Sequence, residues 1–467
     1  MRFLAETAAS FAGTASRLLG RGGGTSLPGV VLLRLRPNAP AELAADLTRG
    51  AATISATNGK TTTARLVRSA IDAAGIPAVA NTAGANLIGG VTSALLAARN
   101  DRPTPQVGIF EVDEAALPAV VDQLAPRVVV LMNLFRDQLD RYGEIATLID
   151  NWEQLVAALP PSTTLVANAD DPAFATFADH HDNVCWFGLG DTTVMGDTLS
   201  HAADSTRCRR CATELDYTAV SIGHLGHWHC PNCDLSRPQP DVVLTSVAAD
   251  GIDQQHLSVR LTSNSDGPVL DIDIDLGLPG LHNAYNALAA VAALDRLGVG
   301  TAAIRTGLES TDAAFGRAER VTIDERSLLL LLAKNPVGVN ENIRTINSSV
   351  NSAEPSLHVL AMLNDRTADG RDVSWIWDVD YERLLPHLDR LTVSGDRAWD
   401  LALRFRYAGL DPDRMTVDPD PAAALDAAVA GCPADGDLFA LATYTSMLDL
   451  RSVLTDRGLT EAFWEDG

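Results

Sequence analysis

The stretch Thr53–Val67, "TISATNGKTTTARLV", constrains this chain more than any other part of it. A β-branched run leads straight into Asn58-Gly59-Lys60-Thr61, and an amphipathic helical pattern begins with no linker between them. A strand that turns directly into a helix is the unit of a parallel sheet with helical crossovers. The pattern repeats on both sides: "AATISAT" from Ala51, a helix over 61–74, "QVGIFEV" from Gln106, a helix after Ala115 and "RVVVLMN" from Arg127. The expected fold class is therefore α/β, with a parallel sheet covered on both faces.

A chain of 467 residues exceeds one core, and the pattern divides it into three parts. Residues 1–50 are Ala-rich and end in "GRGGGTSLPG", read as a loop after an opening helix. Residues 51–312 carry the first alternation of strands and helices. A cysteine-bearing segment interrupts it at about 200–240, and the strands "VVLTSVAADGIDQQHLSVRLTS" and "LDIDIDL", read as antiparallel, follow. A helix is expected over 282–297. After "FGRAERV" a second alternation begins with "SLLLLLA", "SLHVLAML" and "RLTVSG", so residues 313–467 are expected to form their own α/β unit.

Lys60 is one of only two lysines in a chain that otherwise uses arginine for positive charge. At the end of a strand and the start of a helix, backbone N–H groups and the helix dipole converge on one point, which suits a phosphate. Lys60 would reach the β and γ phosphates, and the Thr61 hydroxyl would serve Mg²⁺. A compact ammonium fits a tight phosphate cradle where a planar guanidinium needs more room. The general P-loop spacing asks for glycine at position 54, and this chain has Ile54. Glu111, Asp113 and Glu114 close the strand "IFEVDEA", where carboxylates can hold the bridging metal, although an isolated acidic loop would read as solvated surface. His282, Asn283 and Asn286 of "GLHNAYNALAA" share one helix face and point toward a nucleotide; a helix cap would explain Asn283 alone.

The six cysteines include two C-x₂-C knuckles, Cys208/Cys211 and Cys230/Cys233, while Cys185 and Cys432 stand apart. This spacing predicts one tetrahedral Zn²⁺ held by four thiolates, with no open position and hence a structural role. His224, His227 and His229 lie between the knuckles and leave a Cys₃His set as the alternative. A poor disulfide framework, short apolar runs and no signal-like N-terminus point to a cytoplasmic chain without a transmembrane segment. The formal charge of −24 opposes general nucleic-acid binding.

The motifs "ATNGKTTT", "EVDE", "NLFRDQLDRYGE", "NADDP", "GLHNAYNALAA" and "FGRAER", in that order, resemble the Mur ligase superfamily, ATP-dependent enzymes that join an amine to a carboxylate through an acyl phosphate. The resemblance implies an ATP site of Asn58, Gly59, Lys60, Thr61, Thr62, His282, Asn283, Asn286 and Arg317, with Thr61, Glu111 and Glu114 binding Mg²⁺. Three departures narrow it: no room for a UDP-binding domain before residue 51, Gln138 where the family has histidine, and no lysine between Lys60 and Lys334 for carbamylation. The knuckles, the short N-terminus and "MLNDRTADGRDVSWIWDVDYE", in which "SWIWD" reads as a strand, narrow it further. Together they resemble the MurT family, ligase subunits of lipid II isoglutaminyl synthases. That implies amidation of the D-glutamate α-carboxylate of lipid II at the inner face of the membrane, as a heterodimer with a GatD-type glutamine amidotransferase. It also implies an aspartate that completes the partner's catalytic triad, matched to Asp372 or Asp369. Lys334 is left between a nucleotide or substrate contact and plain surface. The rival readings are a ligase similar to folylpolyglutamate synthase and a zinc-ribbon binding protein with an NTP switch.

Overall fold

The buried pentapeptide Ala51–Ser55 forms strand β1 at the heart of a nine-stranded sheet in a computed structural model that describes residues 26–81, 84–99, 101, 103–137, 145–250, 253–262, 269–311, 317–348, 350 and 356–460. The other strands of that sheet are β2 (Ala78–Ala80), β3 (Val107–Glu111), β4 (Val128–Leu131), β5 (Thr164–Asn168) and β6 (Val184–Leu189). A separate hairpin, β7 (Asp216–Val220) and β8 (Gly226–His229), precedes β9 (Val242–Asp250), β10 (Gln254–Thr262) and β11 (Val269–Leu276). The order is β11-β10-β9-β6-β5-β4-β1-β3-β2, parallel from β2 through β9 and antiparallel at the β9-β10-β11 edge. Two cores explain the uninterrupted apolar runs: Ala52, Ile54, Val128 and Val130 pack on one face, Ala51, Val129 and Leu131 on the other.

Helices α1 (Leu27–Leu35), α2 (Ala39–Ala44), α3 (Lys60–Ala73), α4 (Ile88–Ala98), α5 (Leu117–Leu124), α6 (Ile145–Ala158), α7 (Leu281–Arg296) and α8 (Thr301–Glu309) cover these faces. Helix α7 is buried along 13 of its 16 residues, which suits its Ala-rich sequence. The glycine and proline cluster corrects the sequence reading where it is described. Leu27–Gly29 opens α1 instead of a loop, with Pro28 in the first turn where its missing N–H costs nothing. Gly29 lets α1 touch α4, because a Cβ there would lie 1.8 Å from the Gly89 carbonyl oxygen. The expected opening helix before it lies outside the described residues.

The second sheet holds β12 (Arg317–Ile323), β13 (Arg326–Leu332), β14 (Leu357–Met362), β15 (Leu388–Ser394), β16 (Met415–Val417) and β17 (Asp437–Ala442) in the order β12-β13-β17-β14-β15-β16. Only the β12-β13 hairpin is antiparallel. Helices α9 (Pro336–Ser348), α10 (Ala398–Tyr407), α11 (Pro421–Gly431) and α12 (Tyr444–Asp456) flank it. The segment "SWIWD" departs from the expected strand and forms a 3₁₀ turn over Ser374–Asp378. Asp372 Oδ1 accepts the Ser374 N–H and starts the turn, so the alternating Trp-Ile-Trp pattern buries only Ile376 fully and leaves Trp377 exposed.

Candidate functional site

Past β1 the chain is zipped to the extension of β4. Thr57 N–H donates to the Asn133 carbonyl and Asn58 N–H to Asn133 Oδ1, both at 3.0 Å, and Phe135 N–H donates to Thr57 Oγ1 at 3.0 Å. The "NADDP" carboxylates brace this arrangement. Asp171 Oδ2 accepts the Leu134 N–H, while the fully buried Asp170 is met by Arg237 (2.6 Å) and the Tyr285 hydroxyl of α7 (2.5 Å). Next in the chain, Gly59 takes φ +96°, and a Cβ on it would fall 2.0 Å from Asn286 Oδ1. Asn286 Nδ2 donates to Asn283 Oδ1 and Asn283 Nδ2 to the Pro279 carbonyl, so both amides stand fixed over the turn. His282 lies against Gly280 near Thr345.

Helix α3 starts at Lys60 with no side-chain cap, the form in which N–H groups and dipole receive an anion. Lys60 is buried, and its ammonium donates to the Ala56 carbonyl and to Glu114 Oε2 (2.9 Å). Burial pushes it down, but Glu114, then Glu111 and Asp137, outweigh that and hold it above its ordinary value, so it stays charged. Glu111 and Glu114 are buried at the end of β3 and just beyond it, where Trp152 Nε1 donates to the Glu114 carbonyl. Thr61 is half-buried and Thr62 buried in the first turn of α3. Buried carboxylates next to an uncapped helix start and a buried ammonium form a donor set that fits a metal-bridged polyphosphate. Arg317 begins β12, its side chain outside the described residues.

Two contacts from the second sheet reach this turn. Asn335 exchanges amide hydrogen bonds with Asn58 (2.9 and 3.4 Å), and Lys334 Nζ lies 2.5 Å from Asp137 Oδ2. The sequence offers no partner for Lys334 and no role for Asn133 or Asn335, and it places Asp137 only in the motif where Gln138 puts the family's second metal site in doubt. The scarcity of lysine was the one signal pointing there.

The four knuckle thiols converge below the β7-β8 hairpin, all sulfurs within 4.8 Å of one another. Cys208–Cys233 and Cys211–Cys230 are 3.5 Å apart and Cys211–Cys233 3.9 Å. Zn–S bonds of about 2.3 Å set tetrahedral sulfurs about 3.8 Å apart, so the cluster fits zinc. The Thr213 hydroxyl and N–H hold Cys211 down to about 6, while burial and the neighbouring thiols push Cys233 up to about 12. His224 is engaged by Asp171, and His227 by the Leu189 carbonyl, away from the sulfurs. Arg209 pairs with Asp150 and Glu153, and Arg210 with Asp179 and Asp234, so acids neutralise the arginines of the knuckle.

The two candidate aspartates of the second sheet differ. Asp369 is buried and accepts both the N–H and the hydroxyl of Thr445; burial pushes its carboxyl up. Asp372 is exposed, and its bond from Ser374 holds it below the usual range. Beside that turn, α10 presents Trp399, Leu403 and Tyr407 at four-residue spacing, 68%, 48% and 74% exposed, with Trp377 edge-on to Tyr407 at 5.4 Å.

Residues 54–236 match the family model of the Mur ligase middle domain, and residues 332–447 match that of the MurT ligase C-terminal domain. The chain is 31% identical over 404 residues to the lipid II isoglutaminyl synthase (glutamine-hydrolyzing) subunit MurT of Staphylococcus aureus (strain N315), covering 86% of this chain and 87% of that one. It is 31% identical over 439 residues to the same subunit of Streptococcus pneumoniae (strain ATCC BAA-255 / R6), covering 93% of each. Among solved structures, a pseudomurein peptide ligase type C from Methanothermus fervidus superposes with a TM-score of 0.65 at 18% identity, covering 89% of this chain and 80% of that one.

Proposed function

We propose, from the premise that the chain belongs to the MurT family of ATP-dependent Mur-type ligases, that it amidates the D-glutamate α-carboxylate of lipid II to D-isoglutamine. The carboxylate attacks the γ-phosphorus of ATP and ADP leaves; ammonia then adds to the acyl phosphate carbon and phosphate departs. A carboxylate cannot lose oxide, so activation precedes amidation. What carries this reading is the buried Lys60 ammonium, set among Glu111, Glu114 and Asp137 at the uncapped start of α3. Such a preorganised cation stabilises charge on a transferring phosphoryl group. Asn58, Gly59, Thr61, Thr62, His282, Asn283, Asn286 and Arg317 complete the nucleotide site, and Thr61, Glu111 and Glu114 take Mg²⁺, which when bound neutralises the phosphate oxygens.

Residues 1–50, 51–312 and 313–467 are read as N-terminal segment, ATP-binding domain and glutaminase-binding domain. Two separate sheets support the boundary near 312, whereas Leu32, Leu43 and Leu47 of the first segment pack into the core of the first sheet. A GatD-type glutaminase supplies ammonia and docks on the apolar stripe Trp399–Leu403–Tyr407 of α10. The nearby Asp372 orients the partner's histidine. Its exposure favours it over Asp369, which is spent on Thr445. Zinc sits in the four-cysteine cluster as a structural ion. Work at the inner face of the membrane involves no spanning helix of the described residues, none of which is long and apolar enough.

Mass spectrometry of a lipid II analogue incubated with the chain, ATP, Mg²⁺ and concentrated ammonium tests the reading. Replacement of OH by NH₂, abolished by Lys60→Ala, is the expected result. An unmodified analogue in the presence of both subunits and glutamine would refute it.

A further inference from the structure

The two lysines of this chain, out of 36 lysine and arginine side chains, meet at one carboxylate. Lys334 Nζ lies 2.5 Å from Asp137 Oδ2, and the charge of Asp137 also acts on Lys60. Arginine provides nearly every other cation in the molecule, including those of its surface ion pairs. Lysine is therefore confined to the one place where a compact ammonium and a planar fork are not interchangeable.

Asp137 is set there by the fold. The Thr57–Asn58 turn and the β4 extension are zipped together through Asn133 and Phe135, Asp171 holds Leu134, and Asp137 lies two residues beyond Phe135. Its side chain is only 6% exposed, and its Oδ1 is buried with no hydrogen-bond partner among the described residues. Within the described residues this carboxylate has one oxygen paired to an ammonium and the other without a donor, which leaves it under-coordinated there. Lys334 comes from the other sheet, at the end of β13, and its neighbour Asn335 is locked to Asn58 of the turn. It is 39% exposed on its side chain, so it has room to move.

We infer that Asp137 is an exchangeable cation site: it holds the Lys334 ammonium while the nucleotide site is empty, and passes to the divalent metal when nucleotide binds, freeing Lys334 for the phosphoryl oxygens. The inference rests on the ATP-dependent reading above and adds a metal ligand and a phosphate contact to it. Asp137 faces a cation in both states, and the extra positive charge of the divalent metal meets the negative charge that the nucleotide brings. Because Lys334 and Asn335 follow directly on β13 of the second sheet, the exchange also ties nucleotide loading to the seating of that sheet against the Asn58 turn.

Manganese titration of the full chain, read by electron paramagnetic resonance with and without the nonhydrolysable analogue AMPPNP, tests this. Removing the resident ammonium in Lys334→Ala frees the carboxylate, so Mn²⁺ binding to the nucleotide-free protein tightens about five-fold, a gain that structural damage would not produce. The same variant weakens AMPPNP binding at saturating Mn²⁺ by about ten-fold. Lys334→Arg keeps the pair with Asp137, leaving nucleotide-free Mn²⁺ affinity unchanged while AMPPNP still weakens. Adding Asp137→Asn to Lys334→Ala abolishes the gain. Nucleotide-free Mn²⁺ affinity of Lys334→Ala within about two-fold of wild type overturns the exchange. Wild-type chain that fails to bind AMPPNP overturns the ATP reading instead, and the nucleotide-free titration still decides whether Lys334 and a metal compete for Asp137.

Discussion

Replacing Gly59 by alanine tests the geometry of the candidate nucleotide site at its tightest point. The residue sits at φ +96°, and its new Cβ would meet Asn286 Oδ1 at 2.0 Å, Asn286 Cγ at 3.0 Å and Met132 Cε at 3.1 Å. An unstrained contact needs more than an ångström of retreat. Asn286 is 4% exposed and bonded to Asn283, which is itself bonded to Pro279, so it cannot withdraw alone. The left-handed backbone costs an alanine about 1–2 kcal/mol, and disrupting one buried amide pair costs about 1–2 kcal/mol more. The free variant relaxes out of this turn and the nucleotide must restore it, so the sum of about 2–4 kcal/mol emerges as nucleotide binding weaker by at least about 30-fold. Gly75, just beyond α3, provides the control: it also has positive φ, +67°, but a Cβ there meets nothing within 4 Å. Gly75→Ala is expected to lower the melting temperature slightly and leave nucleotide affinity unchanged. Titration with a fluorescent ATP analogue and thermal melts separate the two effects. If Gly59→Ala binds the analogue as tightly as Gly75→Ala does, the contact between Gly59 and Asn286 does not shape the nucleotide site.

Asp372→Asn is expected to abolish glutamine-driven amidation in the two-subunit enzyme while leaving ammonium-driven amidation intact, whereas Asp369→Asn lowers the melting temperature by weakening its hold on Thr445; paired activity assays and melts distinguish them. Glu341 is buried, and burial pushes its carboxyl up to about 7. The folded chain therefore keeps a proton that the unfolded chain loses near pH 4.5, and stability falls as pH rises from there toward 7. Glu341→Gln should accordingly melt higher than wild type at pH 8, by an amount worth about 1–3 kcal/mol, and lose that advantage at pH 5. Arg237→Ala strips the charged partner from the fully buried Asp170, leaving it only the bonds from Tyr285 and Leu189, and should cost about 3–5 kcal/mol, seen as a lower urea midpoint. Trp399→Glu with Tyr407→Asp should prevent co-purification with the glutaminase subunit while leaving ammonium-driven amidation unchanged.

Periodicity and punctuation alone carried the architecture. Alternating β-branched runs and amphipathic helices specify a parallel sheet because each strand is buried on both faces, and the C-x₂-C spacing brings four thiols to one point because each knuckle is a local turn. Local reading failed where a capping bond competed with alternation, as at Asp372, whose carboxylate starts a 3₁₀ turn in "SWIWD". It also failed at Leu27–Gly29, where proline and glycine open a helix and let it approach another. Lys60, Glu114, Asn286 and the four cysteines could be named individually because each lies in a short motif whose chemistry is contained in a few consecutive residues. The pairing of Lys334 with Asp137, the grip of Asn335 on Asn58 and the hold of Asp369 on Thr445, which sets it apart from exposed Asp372, join positions dozens to hundreds of residues apart. A one-dimensional pattern records which side chains can ionise, but burial and the neighbour across a sheet or domain set their charge and partners, and only the packed chain supplies those.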